Sequence, residues 1–401
     1  MINCRVCKNV LNKVFCDLNK TPLANSYRVS QDAIYEEKHY PLKVFFCSNC
    51  FLVQLPEIVR PEHIFTDYPY FSSYSSDWLD HASDLCELSI KKLSITSDDL
   101  ITEIASNDGY LLKKFKKKNY NNVLGIEPAK NIANYANKQN IKTENIFFNE
   151  ETSEYIFKKY KYSKIIFSLN VLAHVPNINS FVIGIKKILH EDGCWIVEFP
   201  HLLNLIKNTQ FDTIYHEHFS YLSILSLDYI LRDVNLRIFD IDTIPTHGGS
   251  LRVFICHKKS FYNENVAVQK IRDEEFKFGL KNESLYLNFQ QKVENKKHKI
   301  IDYLEDLNDK KIYGFGAPAK ATTLINYCKI DGYISYVVDN NLAKQNKYIP
   351  GTKIQIKNIE HLIQLQPKNI LVFPWNISDE IKKELNYISN FDYKIHSFNF
   401  A

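Results

Sequence analysis

Apolar segments alternate with amphipathic ones along the middle of the chain, and this alternation constrains the possible folds more than any other feature. The apolar segments span residues 100–104, 123–126, 165–169 and 195–199. Each has the length of a strand buried on both faces, and the residues between them follow a helical period. Strands that alternate with helices indicate a parallel sheet covered on both sides. The sequence therefore predicts an α/β domain in the centre of the chain.

A second block of the same kind follows. Its strand candidates are shorter and span residues 311–314, 336–338 and 370–373. Residues 264–308, between the two blocks, are polar and predict a long connecting helix. A length of 401 residues also exceeds that of one ordinary domain. We therefore expect three parts: a small cysteine-bearing module, a central α/β domain and a smaller C-terminal α/β domain.

The charge pattern excludes some classes of partner. The formal net charge is +4, and acidic residues balance the short basic run at 113–118. We therefore expect neither a nucleic acid nor an anionic membrane as partner. The N-terminal residues lack the basic and apolar regions of a signal peptide, and no apolar run has the length of a membrane helix. We expect a cytoplasmic protein, either a monomer or a weak homodimer.

Four of the nine cysteines form two pairs with the spacing of a metal site. They are Cys4, Cys7, Cys47 and Cys50. Each Cys-x-x-Cys turn can hold two thiolates at the separation that tetrahedral Zn²⁺ requires, and no neighbouring histidine or carboxylate suggests an open catalytic position. We therefore predict a closed, structural zinc site. Four unrelated core cysteines are the alternative, and a nucleic-acid-binding ribbon would need a basic stripe that the segment lacks.

The turn after the first apolar segment has the features of a nucleotide site. Residues 101–110 run from a strand into a helix, and small residues at such a turn let the backbone approach a ligand. Glu127 ends the next strand candidate and can accept hydrogen bonds from both hydroxyls of a ribose. Ala105 and Asn107 replace the glycines of a dinucleotide loop, which favours S-adenosylmethionine over a pyrophosphate. An ordinary strand–turn–helix is the alternative. The predicted cofactor contacts here are Glu103, Ala105, Asn107, Gly109 and Glu127.

A cluster of chemically active side chains occupies residues 215–218. Tyr215, His216, Glu217 and His218 supply a phenol, two imidazoles and a carboxylate. Methylation of a carbon next to a ketone needs a base, and an imidazole is largely unprotonated yet basic near neutral pH. In an extended segment both histidines face the same side, opposite Tyr215 and Glu217. We therefore expect one histidine to be structural. A metal site at this cluster is the alternative, but the sequence shows no pattern that would supply a third ligand.

Five motifs follow one another in the order in which a known family has them. They are EIASNDGYLL at 103–112, NVLAHVP at 170–176, YHEHFSYLS at 215–223, HGGSLR at 247–252 and GFGAPAK at 314–320. With these motifs the chain resembles, over nearly its whole length, the bacterial sugar C-methyltransferases, which methylate C3 of nucleotide-linked 4-keto-6-deoxy sugars. Ala105 and Ala321, which stand where the family usually has glycine, are modest departures.

The resemblance implies a fold and a set of ligands. It implies a small zinc-binding module at 1–65, a central Rossmann-like methyltransferase domain at 66–263 and a smaller C-terminal α/β Rossmann-like domain at 264–401. The implied cofactor is S-adenosyl-L-methionine. The implied substrate is a nucleotide-diphosphate keto-sugar that lies between the central and C-terminal domains.

The resemblance also implies roles for individual residues. His218 is the implied catalytic base, and His216 is its nearest competitor. The other implied active-site residues are Glu217, Tyr215, His174 and Tyr70. Asn170 is an implied cofactor contact. The implied substrate contacts are His247, Gly248, Ser250 and Lys320, of which Lys320 would meet the diphosphate.

A second glycine loop keeps another class of function open. Gly314 and Gly316 follow a strand candidate, and Asp339 ends the next one, which fits a dinucleotide-binding loop better than the first turn does. One alternative is therefore a NAD-dependent sugar-nucleotide oxidoreductase. A separate alternative, which does not depend on this loop, is an O- or N-methyltransferase acting on a sugar nucleotide. Against the first, the strand candidates after residue 310 make up about half of what a dinucleotide spans. A non-catalytic nucleotide sensor leaves the residues at 215–218 unexplained.

Overall fold

The N-terminal module is a small antiparallel sheet that borrows a strand from the central domain. The computed structural model describes residues 2–60, 71–74, 76–307, 312–388 and 391–398. The strands of the module are β1 (Lys13–Thr21), β2 (Tyr40–Phe46) and β3 (Val53–Gln54). A fourth strand, β9 (Ser220–Tyr221), follows the cluster at 215–218 and pairs with β3. The order is β1-β2-β3-β9, so the sheet physically joins the cysteine module to the candidate catalytic segment.

The central domain is built on a seven-stranded sheet. Its strands are β4 (Ile101–Ile104), β5 (Val123–Ile126), β6 (Thr143–Glu144), β7 (Ser163–Leu169), β8 (Leu189–Pro200), β10 (Leu236–Ile244) and β11 (Ser250–His257). They lie in the order β10-β11-β8-β7-β4-β5-β6. The five strands from β8 to β6 are parallel, which confirms the predicted α/β class.

Helices cover both faces of this sheet. They are α1 (Ser76–Leu93), α2 (Tyr110–Lys117), α3 (Lys130–Lys138), α4 (Glu150–Tyr160), α5 (Ile178–Ile188) and α7 (Ile224–Arg232). Helix α6 (Leu202–Lys207), which precedes α7, packs instead in a cluster shared by the N-terminal module and the C-terminal domain. Successive side chains of a strand point to opposite faces, and here they enter different hydrophobic clusters. In β7, Ile166 packs in one cluster while Ile165 and Phe167 pack in the other.

One edge of the sheet differs from the prediction of a wholly parallel arrangement. β11 runs antiparallel to β8, and β10 runs antiparallel to β11. The reason is the short connection, because residues 245–249 join β10 to β11 in a tight turn that permits only an antiparallel pair. The HGGS sequence therefore forms a hairpin turn.

In the described part of the connection, up to residue 307, three helices and not one lie between the central and C-terminal domains. They are α8 (Val266–Phe278), α9 (Glu283–Leu287) and α10 (Phe289–Glu305). Gly279 ends α8 in the left-handed region, with φ of 95°. The side chain of Asn282 then caps α9 by accepting a hydrogen bond from the Ser284 N–H. These local stop and start signals break the predicted long helix.

The C-terminal domain has a parallel sheet of five strands, two more than the sequence predicted. They are β12 (Ile312–Phe315), β13 (Ile334–Val338), β14 (Ile356–Lys357), β15 (Asn369–Val372) and β16 (Lys394–His396), in the order β14-β13-β12-β15-β16. Its helices are α11 (Ala319–Cys328), α12 (Ile359–Leu365) and α13 (Ser378–Ile388). The strands that prediction missed, β14 and β16, are too short to show a periodic pattern.

Short 3₁₀ helices complete the described chain. They span Asp32–Glu36, Ser72–Tyr74, Leu172–His174, Phe211–Thr213, Thr246–Gly248, Asp331–Tyr333 and Trp375–Ile377. Within the described ranges, no helix is long and apolar enough to cross a membrane. The predicted domain limits at 65 and 263 stay a prediction.

The loop between β1 and β2 fastens the N-terminal module to the C-terminal domain. The Tyr27 hydroxyl donates to the carbonyl of Ala317 at 2.6 Å. Arg28 is buried, forms an ion pair with Glu37 at 3.3 Å, and exchanges backbone hydrogen bonds with Tyr348. Specific polar contacts of this loop therefore hold the N-terminal module to the C-terminal domain.

Candidate active site

The four predicted metal ligands come together in the N-terminal module. The sulfur atoms of Cys4, Cys7, Cys47 and Cys50 all lie within 4.8 Å of one another. The closest pairs are Cys4 with Cys50 at 3.5 Å and Cys7 with Cys47 at 3.4 Å. A zinc ion bonded to four thiolates at about 2.3 Å would separate neighbouring sulfurs by about 3.8 Å. The donor set and its spacing therefore fit Zn²⁺, and no open position is needed.

A cavity of about 700 Å³ lies at the carboxyl end of the central sheet. Ala105, Asn107, Glu127, Asn170 and His174 are among the residues that line it. In an open α/β sheet this end of the strands is where ligands bind. The volume is sufficient for a nucleoside-sized molecule together with part of a second ligand.

The turn after β4 brings backbone groups and a carboxylate together. Ala105 and Asn107 adopt positive φ values of 53° and 50°. Glu127 accepts hydrogen bonds from the N–H groups of Asn107 and Ala129, both at 2.9 Å. Burial raises the pKa of Glu127 to about 7, although these two N–H groups favour its ionised form. The carboxylate lies at the cavity, directly after β5, and its contact with a ribose stays a prediction.

Asn170 supplies unsatisfied polar atoms to the cavity. Its backbone has φ of 55°, and its side-chain oxygen and nitrogen are buried without a hydrogen-bond partner within the described residues. Buried amide atoms are normally paired, so this side chain fits a bound ligand that has both donors and acceptors. A nucleoside with an amino-acid tail offers both, and the cavity therefore fits S-adenosylmethionine.

Two predicted cofactor residues lie behind the cavity wall. Gly109 is the left-handed residue before α2, and a Cβ there would approach Ile141 to 2.8 Å, so its role is in the turn. Glu103 is buried beside the Tyr110 hydroxyl, and burial raises the pKa of its carboxyl well above the usual value. Tyr110, Trp78 and His81 line the cavity instead, and no sequence pattern had singled them out.

Residues 215–218 form a turn, so the alternation of side chains that holds for an extended segment does not apply here. The His218 N–H donates to the Tyr215 carbonyl at 3.0 Å, which closes the turn. The rings of Tyr215 and His218 consequently lie 3.9 Å apart between centroids. The ring of His216 points elsewhere, 5.9 Å from the Tyr40 ring and 3.3 Å from the Pro41 carbonyl. The turn therefore separates the two histidines, with His216 against the zinc-binding module.

His218 and His174 lie side by side, and one backbone segment orients both. Their ring centroids are 4.8 Å apart. Nδ1 of His218 lies 2.8 Å from the Thr213 carbonyl, and Nδ1 of His174 lies 2.8 Å from the Glu217 carbonyl. A carbonyl can only accept, so each Nδ1 carries a proton and each Nε2 keeps its lone pair. Burial lowers the pKa of His174, and lowers the pKa of His218 well below its ordinary value.

The carboxyl of Glu217 faces a residue that the sequence did not point to. Nδ2 of Asn25 donates to Oε2 of Glu217 at 2.6 Å. Burial raises the pKa of Glu217 to about 7, and the bond from Asn25 opposes this change. Asn25 belongs to the loop between β1 and β2, far from Glu217 in sequence. Only the folded chain reveals this contact.

Of the predicted substrate contacts in the hairpin after β10, one lines the cavity. His247 lines the cavity with a positive φ of 54°, and burial together with the charge of Lys320 lowers its pKa to about 4. A Cβ on Gly248 would lie 2.4 Å from the Trp375 ring, so the hairpin packs directly on the C-terminal domain. The Ser250 hydroxyl donates to the Thr246 carbonyl at 2.8 Å, which places it in the turn.

Lys320 lies at the start of α11, close to the same hairpin. Its ammonium group donates to the side chain of Asn376 and sits 4.3 Å from the centroid of the Trp375 ring. Burial lowers the pKa of Lys320 to about 8, and its charge contributes to the lowered pKa of His218. Asn376 lines the cavity. Tyr70, the remaining predicted residue, lies outside the described residues.

Comparison with known proteins covers every part of the chain. Residues 4–65 match a family described as a zinc binding domain, 81–241 a methyltransferase domain, and 245–395 a C-methyltransferase C-terminal domain. The chain is 31% identical over 391 residues to C-methyltransferase NovU of Streptomyces niveus, covering 96% of this chain and 93% of that protein. The chain belongs to the C-methyltransferase family. It is an S-adenosylmethionine-dependent enzyme with a zinc-binding module.

Solved structures resemble less than half or about half of the chain at low identity. A methyltransferase from Anabaena variabilis has a TM-score of 0.36 at 13% identity and covers 44% of this chain and 84% of its own. The PH0226 protein of Pyrococcus horikoshii has a TM-score of 0.37 at 11% identity and covers 49% of this chain and 98% of its own.

The family membership decides between the alternatives that the sequence left open. A C-methyltransferase forms a carbon–carbon bond, which is neither the oxidoreductase nor the O- or N-methyltransferase alternative. The second glycine loop also forms hydrogen bonds with other residues of the C-terminal domain. The Ala317 N–H donates to Asp339 at 2.7 Å, and Lys344 donates to the Ala317 carbonyl at 3.0 Å.

Proposed function

We propose that this enzyme methylates C3 of a nucleotide-diphosphate-linked 4-keto-deoxy sugar through an enolate generated by His218. The observation that carries the proposal is the pair of adjacent, partly buried imidazoles beside the cofactor cavity. His174 lines that cavity, His218 adjoins it, and a backbone carbonyl lies at Nδ1 of each ring. Two neutral imidazoles beside a methyl donor suit a reaction that begins with removal of a C–H proton.

The chemistry explains why a ketone is needed next to the methylated carbon. A sugar C–H becomes acidic enough for a protein base only when the negative charge can move onto a carbonyl oxygen. Nε2 of His218 takes the proton and the ring becomes an imidazolium, while the electron pair of the C–H bond forms the enolate. S-adenosylmethionine supplies an electrophilic methyl group, to which the enolate carbon bonds as the carbon–sulfur bond breaks.

The surrounding groups fit an anionic substrate and an anionic intermediate. The lowered pKa of His218 keeps its imidazole neutral at physiological pH and ready to accept a proton. Lys320 contributes positive charge near this ring, which favours both the enolate oxygen and a diphosphate. The Tyr215 ring lies against the base, tilted by 35° to its plane, and limits the movement of the imidazole. We assign Glu217, with Asn25 as its hydrogen-bond donor, to the same site.

The proposal is tested by the structure of the product. We expect the purified enzyme, given a nucleotide-linked 4-keto-6-deoxy sugar and cofactor with a ¹³C-labelled methyl group, to form one equivalent of S-adenosylhomocysteine. Carbon NMR should show the label bonded to C3. The matched control is the same sugar reduced at C4, which has no acidic C–H and should not react. Labelled methyl on oxygen or nitrogen, or equal methylation of the reduced sugar, would contradict the proposal.

A further prediction concerns the ribose contact of the cofactor. We expect Glu127→Ala to weaken S-adenosylmethionine binding by about 10- to 100-fold, because one or two charge-assisted hydrogen bonds are lost. The pKa of Glu127 is raised to about 7, so its carboxylate is fully ionised only above that pH. Wild-type affinity should therefore fall as the pH drops below 7.

Calorimetric titration from pH 5.5 to 8.5 checks this prediction, with Glu127→Gln as the uncharged comparison. The glutamine variant should bind weakly and show little dependence on pH. Unchanged affinity in a folded Glu127→Ala variant would remove this residue from the cofactor site.

A further inference from the structure

Arg5 lies inside the first cysteine turn, between Cys4 and Cys7. Its backbone N–H donates to Oε1 of Gln54 at 2.9 Å, and Nε2 of Gln54 lies 3.2 Å from the sulfur of Cys4. Gln54 is in β3, the strand that pairs with β9. The position of the Arg5 backbone is therefore fixed by the metal turn and by the sheet together.

The guanidinium of Arg5 lies between the zinc-binding module and the central domain and contacts both. One nitrogen donates to the Pro176 carbonyl at 2.8 Å, and the other donates to the Leu55 carbonyl. The guanidinium carbon lies 5.4 Å from the centroid of the Phe219 ring. A planar group with a fixed fork of donors can bond two carbonyls and stack on a ring at once, which lysine cannot do.

These three contacts join the two segments that carry the paired histidines. Pro176 ends the segment that contains His174, and Phe219 directly follows His218. The Phe219 N–H donates to the Ala173 carbonyl at 2.8 Å, and its own carbonyl accepts from the Leu55 N–H at 3.0 Å. Arg5 thus holds both segments to Leu55, the residue that directly follows β3 of the module.

We propose that Arg5 is a positioning residue for methyl transfer, which sets the separation and orientation of His174 and His218 from the zinc-binding module. This inference rests on the proposed function, in which these histidines act on the substrate. The metal site then has a second role. The zinc-binding turn sets the position of Arg5, and Arg5 sets the position of the segment that contains His218. Loss of the contacts would let the two histidine segments shift relative to the bound substrate.

The test compares Arg5→Met with Lys8→Met in the full-length, zinc-loaded enzyme. Lys8 follows the same cysteine turn, and its exposed ammonium donates to the Arg5 carbonyl. Both variants therefore lose one positive charge from one turn, but only the first loses the contacts to Pro176, Leu55 and Phe219. Arg5→Lys, which can keep one carbonyl bond, is the conservative variant.

We expect Arg5→Met to lower kcat by about 10- to 100-fold, since small displacements of catalytic groups cost this much. Its KM for S-adenosylmethionine and its zinc content should equal those of the wild type. The kcat of Arg5→Lys should lie between those of Arg5→Met and the wild type. The kcat of Lys8→Met should equal that of the wild type. Amide hydrogen exchange of residues 172–176 and 215–221 should accelerate in Arg5→Met alone.

Contrary outcomes are equally clear. Wild-type kcat and exchange in Arg5→Met would overturn the inference, as would a parallel loss of zinc, cofactor binding and turnover, which indicates a role in stability alone. Should Arg5→Met not fold, a lowered kcat with full zinc in Arg5→Lys supports the inference, and a wild-type kcat rejects it. If the wild type does not methylate the keto-sugar, the proposed function has failed, while the exchange data still decide whether Arg5 holds these segments.

Discussion

Replacing His218 with alanine is expected to lower kcat by about 100-fold or more, with cofactor affinity nearly intact. A positioned general base contributes about this much, and the His218 imidazole is held for the role by the Thr213 carbonyl and the Tyr215 ring. Single-turnover kinetics with saturating S-adenosylmethionine measure the chemical step directly. Equilibrium titration of the cofactor provides the second reading.

His216→Ala is the matched control, because it removes the same side chain two positions away. His216 packs against Tyr40 and Pro41, so its loss should reduce thermal stability and have much less effect on rate. If His216→Ala lost turnover while His218→Ala kept it, the assignment of the base would be reversed.

Solvent exchange isolates the proton-transfer step from methyl transfer. We expect the wild type, given the keto-sugar and S-adenosylhomocysteine in D₂O, to exchange the proton at C3. The His218→Ala variant should not. Exchange in that variant at the wild-type rate would move the role of base to His174, the imidazole that lies beside His218.

Removal of the metal is expected to have the largest effect on stability. Binding of structural zinc contributes about 10 to 16 kcal/mol in small zinc-dependent domains, which is more than the whole stability of many domains. We expect Cys50→Ala to lose the zinc and to unfold the module. Because Arg5 and β9 connect the module to the histidine segments, turnover should be lost as well.

Metal analysis and thermal unfolding measure this effect, and Cys16→Ala is the control. Cys16 is buried in β1 of the same module but does not belong to the four-sulfur cluster. The Cys16→Ala variant should keep one zinc per chain. Full zinc content in Cys50→Ala, or well under one zinc per chain in the purified wild type, would contradict the assigned ligands.

The features that the sequence predicted well are those determined by neighbouring residues. The central strands, the turn that follows β4 and the carboxylate at the end of β5 all depend on short patterns of apolar and small residues. The two cysteine pairs are equally local. Such patterns fix which elements form and which end of the sheet carries the cofactor, because parallel strands place their carboxyl ends together.

The features that it missed depend on contacts between distant segments. The turn at 215–218 lies against the zinc-binding module and is joined to it by the Asn25–Glu217 hydrogen bond, whereas its composition does not distinguish a turn from an extended segment. Arg5 lies in a segment whose only visible pattern is that of a metal site. Its contacts with Pro176 and Phe219 span nearly half of the chain and leave no periodic signal.

The borrowed strand of the N-terminal sheet has a consequence for synthesis of the protein. β3 leaves the ribosome long before β9, and at typical elongation rates the interval is roughly ten to thirty seconds. During that time the edge of β3 has no partner and can pair with another nascent chain. Rapid capture of zinc would restrain the β2–β3 region before β9 arrives. Metal supply during translation should therefore influence the yield of correctly folded enzyme, quite apart from the metal requirement of the finished molecule.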